Sequence, residues 1–124
     1  MAHQTDRLTA AVRKLANADV LAFGGVGIAG RILPATAAYQ DVADRLGDDD
    51  KVRPQLAWLL ANGSPAGKAY AATLLQELDP VAGREAWRSL VKDRSEFTTF
   101  SGCIMGRTTL AEYAAGRAGG QPVR

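Results

Sequence analysis

Ser64-Pro65-Ala66-Gly67-Lys68 and Asp79-Pro80-Val81-Ala82-Gly83-Arg84 repeat one helix-opening device. In each, a residue whose side chain can accept a backbone hydrogen bond precedes a proline, and small residues and a base follow. Proline suits the first helical position because its fixed φ matches the helix and its missing N–H would have been unpaired there anyway. Between the two starts, Ala69, Tyr70, Ala71, Ala72, Leu74, Leu75 and Leu78 wrap around much of the helical surface. The 64–78 segment is therefore expected to be the most buried, with alanines that let neighbouring helices approach closely. After Pro80, the stripe Ala86, Trp87, Leu90, Val91 leaves Arg84, Glu85 and Arg88 for solvent, the pattern of a surface helix over 80–92.

The same spacing extends outward in both directions. Leu8, Ala11, Val12 and Leu15 fall at i, i+3, i+4 and i+7, which predicts a helix over 6–17 capped by Thr5 or Asp6. Pro34 opens a second helix carrying Tyr39, Val42, Ala43 and Leu46 down to Gly47. Asp48-Asp49-Asp50 suits the positive end of a third, in which Val52, Leu56, Leu59 and Leu60 share a face and Gly63 closes the last turn. Thr109-Leu-Ala-Glu112 fits a capping box and predicts a last helix over about 110–116.

Two stretches break this pattern. Asp19-Val-Leu-Ala-Phe23 reads equally as a short strand or as a buried extended segment. Arg94 to Met105 contains Phe97-Thr-Thr-Phe100, which favours extended chain, with Gly102 and Gly106 allowing bends. The expected fold is mainly α, about six helices, with one short two-stranded pairing of 19–23 with 97–104. Residues 1–118 form a single domain and 119–124 a flexible C-terminal tail.

From about residue 50 to 92, consecutive helices joined by Ser-Pro and Asp-Pro corners resemble HEAT-type α-α repeats, particularly the short bacterial variety. The resemblance covers about a third of the chain and implies a protein-binding scaffold rather than an enzyme. It transfers no specific residue to a site. Both a HEAT-like stack and a compact helical bundle accommodate these segments.

Composition narrows the function classes. With 124 residues, 47% hydrophobic and 23% charged, the chain can bury roughly two thirds of its unfolded surface and has neither the apolar depletion nor the charge excess of a disordered segment. Fifteen Lys and Arg against thirteen Asp and Glu leave +2, with no run of three basic residues, so no nucleic-acid partner is expected. The most apolar stretch, Val20 to Tyr39, holds Gly24, Gly25, Gly27, Gly30, Pro34 and a central Arg31. An arginine there costs about 2.5–3.5 kcal/mol on insertion, which argues against a membrane span. As a signal peptide cleaved at Ala35-Thr36-Ala37 it would need a leading region containing Asp6 and Asp19, a poor match to the usual layout. A cytoplasmic location is expected, with secretion through an N-terminal signal as the alternative. Ala, Gly and Arg richness suggests only a GC-rich genome, and a bacterial source is the expectation that goes with the repeat resemblance.

Catalytic constellations are sparse. Gly25-Val-Gly27-Ile-Ala-Gly30 spells G-x-G-x-x-G, but Pro34 follows closely and Val42-Ala-Asp-Arg-Leu46 is helical where a second strand is required, so a close-packed connection is the expected role. Cys103 has only His3 as a base and reads as a small buried side chain. Ser64 and Ser101 lack triad partners, and Asp48–Asp50 lack calcium-loop spacing. No catalytic, cofactor-binding or metal-binding residue is assigned, and no cofactor is expected.

Trp58, Tyr70, Trp87 and Tyr113 lie on apolar faces and are expected in the core. Should one tryptophan be exposed, it becomes the candidate anchor for a partner, and Trp87 with Arg84 and Arg88 is the sharpest choice. The expectation is a non-enzymatic protein-interaction module of bacterial type, such as an immunity or adaptor protein, whose partner is another protein. The alternative is a small-ligand-binding protein or enzyme using segments 24–30 and 97–105.

Overall fold

Helical periodicity and proline starts account for the architecture of the computed structural model, which describes residues 2–23, 32–101 and 104–118. In chain order the elements are α1 (Ala2–Ala16), β1 (Val20–Leu21), α2 (Pro34–Ala43), α3 (Asp49–Asn62), α4 (Pro65–Leu78), α5 (Pro80–Leu90), β2 (Glu96–Ser101), β3 (Ile104–Thr109) and α6 (Leu110–Ala118). The molecule is mainly α, as its sequence implies. The expected tail, 119–124, and the glycine segment 24–30 lie outside the described residues.

Helix α4 is the hub. Ala66, Gly67, Ala69, Tyr70, Ala71, Ala72, Leu74 and Leu75 are buried, and α1, α2, α3, α5, α6, β1 and β2 all pack against it. Ser64 Oγ accepts from Gly67 N at 3.0 Å and donates to Ala18 O at 2.6 Å, so one hydroxyl both starts α4 and ties it to the end of α1. Asp79 Oδ1 accepts from Val81 N at 3.0 Å to start α5. Two glycines set the helix spacing. A Cβ on Gly67 would lie 2.4 Å from Leu15 O, and one on Gly83 would lie 2.2 Å from Gln76 Cα.

Helix ends depart from the sequence reading in three places. Helix α1 begins at Ala2 rather than at Asp6, because no glycine or proline interrupts helical bonding before Thr5. Helix α2 stops at Ala43, where Arg45 N turns to Val42 O and Leu46 N to Ala43 O; this tighter turn still leaves Leu46 packed against the core. Only half of the capping box at α6 forms: Glu112 N donates to Thr109 Oγ1 at 3.1 Å, while the Glu112 carboxylate accepts from Thr108 Oγ1 at 3.3 Å.

The strands form a sheet of order β1-β2-β3. The expected pairing is present and parallel, with Val20 opposite Thr98 and Leu21 opposite Thr99. A third strand was not anticipated: β3 pairs antiparallel with β2 from Glu96–Thr109 to Ser101–Ile104. Side-chain alternation sends Leu21 and Phe97 into the core, where Phe97 meets Tyr113 edge-on with ring centroids 5.7 Å apart.

Candidate functional site

Helix periodicity decides which tryptophan can meet a partner. On α5 the buried stripe is Gly83, Ala86, Trp87 and Leu90, so Trp87 faces α4 and is 0% exposed. Its Nε1 donates to Gln76 Oε1 at 3.0 Å, and the Arg117 guanidinium lies 5.4 Å above its ring. Arg84 and Arg88 are exposed on the opposite side of α5 and make no ion pair among the described residues. Trp87, Arg84 and Arg88 therefore do not form one patch. Trp87 is core, as its apolar face implies, and the exposure on which its choice as an anchor with Arg84 and Arg88 depended is not met, since its ring shares the inward stripe that places Ala86 and Leu90.

Trp58 is the exposed tryptophan, at 40%. On α3 the buried stripe is Val52, Leu56 and Leu59, and Trp58 lies two residues beyond Leu56, about 200° round the helix. Its neighbours Ala57 and Ala61 are exposed as well. The Arg13 guanidinium, from α1, sits 5.6 Å from the Trp58 ring centroid. Gln55 Nε2 donates to Thr9 Oγ1 at 3.0 Å, which fixes α3 against α1 beside this pair. At the start of α3, Arg53 binds Asp49 at 2.8 Å and reaches Asp79 at 3.6 Å, holding the Asp49 carboxyl below its usual range through its hydrogen bond. The sequence signal was present, since position 58 is off the apolar stripe, but the general tendency of tryptophan toward burial outweighed it.

All three tyrosines are committed internally. Tyr70 Oη donates to Ala22 O at 2.6 Å and accepts from Ala22 N at 2.9 Å, while Thr36 Oγ1 donates to the same carbonyl at 2.8 Å. Tyr39 Oη donates to Glu77 Oε2 at 2.5 Å. Burial pushes the Tyr39 phenol up, and its bond to Glu77 pushes it further. Burial likewise raises Tyr70. Phe23 packs edge-on to both rings, at 5.0 Å from Tyr39 and 5.5 Å from Tyr70. Tyr113 Oη accepts from Arg117 Nη2 at 3.1 Å, and Arg117 Nε is buried without a hydrogen-bond partner among the described residues.

The other sequence candidates are placed as follows. Ser64 is a cap, with both functions of its hydroxyl used. Asp48 occupies the N-cap position of α3 without a side-chain cap bond, and Asp49 and Asp50 lie in the first turn. Among the described residues no group of three His, Cys, Asp or Glu could hold a metal ion. Gly25–Gly30, Gly102 and Cys103 lie outside the described residues, as do the side chains of His3 and Ser101. The parallel partner of β1 returns only after four helices, and α2 opens at Pro34, beyond the glycines; a dinucleotide site needs a strand–helix–strand unit directly around them. No described helix is long and apolar enough to cross a membrane. No protein-family model, curated protein or solved structure matches the chain.

Proposed function

We propose that this chain is a non-enzymatic protein-interaction module of the bacterial adaptor or immunity kind, acting in the cytoplasm, and that it engages another protein through the α1–α3 face around Trp58. The observation that carries this reading is the exposed Trp58 ring with the Arg13 guanidinium over it. Tryptophan and arginine dominate interface energetics because a large rigid surface and a weakly hydrated cation lose little when water is excluded. Support also comes from α3, α4 and α5, each packed on the next in chain order, as in a HEAT-like stack. Commitment of the Ser64 and tyrosine hydroxyls to structural bonds leaves these groups no free nucleophile to offer.

Trp58→Ala tests the reading. Because the ring is partly exposed, the fold should remain, with stability changed by about 1 kcal/mol or less. A protein retained by the immobilised wild type should be lost from the variant, a weakening of about 2 kcal/mol or more. Recovery of the same proteins in the same amounts by both would overturn the proposal. So would recovery of none by the wild type, together with discovery of a tight small-molecule ligand.

A further inference from the structure

Strand β3 is one of the two edge strands of the sheet, and among the described residues β2 and α6 are the elements packed substantially against it, neither of them along its far edge. An unpaired edge presents a row of N–H and C=O groups that can template another strand, so proteins usually guard such edges with lysine, proline, a bulge or a projecting charge. β3 has none of these. All six of its residues stay in unbroken register with β2, and its sequence, Ile-Met-Gly-Arg-Thr-Thr, contains neither proline nor lysine. Its one charge is turned away from the edge: Arg107 Nη2 binds Glu96 Oε1 at 3.0 Å and Nη1 donates to Thr98 Oγ1 at 3.1 Å, both on β2.

The two ends of β3 differ in a complementary way. At the hairpin tip Ile104 is 75% exposed and Met105 63% exposed, and as successive strand residues they project from opposite faces. At the base, an open groove of about 420 Å³ lies among Arg94, Thr109, Ala111, Glu112 and Ala115. Exposed apolar side chains at one end and a groove at the other come together only when a copy of the strand runs antiparallel, because then each tip meets the other's base.

We infer that the open edge of β3 pairs with the β3 edge of a second copy of this chain, antiparallel about a two-fold axis near Gly106, each Ile104–Met105 tip lying at the other copy's Thr109–Ala115 groove. This is a self-complementary contact of the kind that closes as a dimer. Centred on Gly106, the register sets Met105 opposite Arg107 of the second copy and Ile104 opposite Thr108. Like charges are then not directly opposed, and the two glycines at the axis bring no side chains into conflict. A formal charge of only +2 per chain puts little repulsion between the copies.

Sedimentation equilibrium of the full chain over a wide concentration range tests the inference. The mass should rise with concentration from 13.1 kDa toward twice that value. Met105→Lys sets an ammonium opposite Arg107 of the second copy, and Ala115→Arg fills the groove. Both positions are exposed, so circular dichroism should be unchanged, while each variant weakens association about tenfold or more. Trp58→Ala should leave association intact, which separates this edge from the face proposed above. A chain that stays monomeric at every concentration overturns the inference. So does a dimer that Met105→Lys and Ala115→Arg leave untouched, or one that Trp58→Ala abolishes.

Discussion

Tyr39 carries a proton that the unfolded chain would release earlier. Its phenol is raised by burial first and by the Glu77 hydrogen bond second, relative to an ordinary value of 10.0. The unfolded phenol deprotonates near pH 10 while the folded one does not, so above pH 10 the unfolded state binds fewer protons. The associated stability is complete below that pH and is lost as pH rises beyond it. Tyr39→Phe should cost about 1 kcal/mol at neutral pH, through the lost bond to Glu77. It should also flatten the loss of stability between pH 10 and 11, read by denaturant titration at several pH values. An unchanged alkaline slope would show that Tyr39 is not the group responsible. At this same scale, Trp87 lies in the core as expected and Trp58 does not, although each obeys the apolar stripe of its own helix.

Helices α4 and α5 illustrate how local composition becomes element packing. Replacing glycine by alanine inside an exposed helix normally stabilises by about 1 kcal/mol. At Gly83 the sign should reverse, because the new Cβ would sit 2.2 Å from Gln76 Cα, a backbone atom that cannot swing aside. Gly83→Ala is expected to destabilise by about 1–3 kcal/mol, the range for overpacking, visible as a lowered thermal midpoint. A raised midpoint would mean that α5 can retreat from α4 at little cost. The proline-started helices were legible because Ser64, Pro65, Asp79 and Pro80 act through their own backbone neighbours. Strand β3 was not, because Ile104 to Thr109 shows no strict alternation of apolar and polar residues that would mark it as a partner of β2.

Across the whole molecule, Tyr70 joins parts of the chain that are far apart in sequence. From the centre of α4 it holds both backbone groups of Ala22, at the end of β1, and Thr36 of α2 shares the same carbonyl. Tyr70→Phe leaves the buried Ala22 N–H without this acceptor, a cost of about 2 kcal/mol. Sheet and helices share one core that runs from Leu8 to Ala114. Unfolding should therefore remain a single transition, with far-ultraviolet dichroism and tryptophan fluorescence changing together in wild type and variant. Separate midpoints for the two signals would show that the sheet melts independently of the helices.

Read alone, the order of residues already determined the helices, their proline starts and the central burial of the 64–78 segment. These depend on periodicity and on bonds between near neighbours in the chain. Which tryptophan meets solvent, which hydroxyls are consumed by distant backbone groups and which strand edge no described element covers were decided only in three dimensions. Each of those is a relation between surfaces brought together from separate parts of the chain, and a surface has no covered side until its neighbour has packed against it.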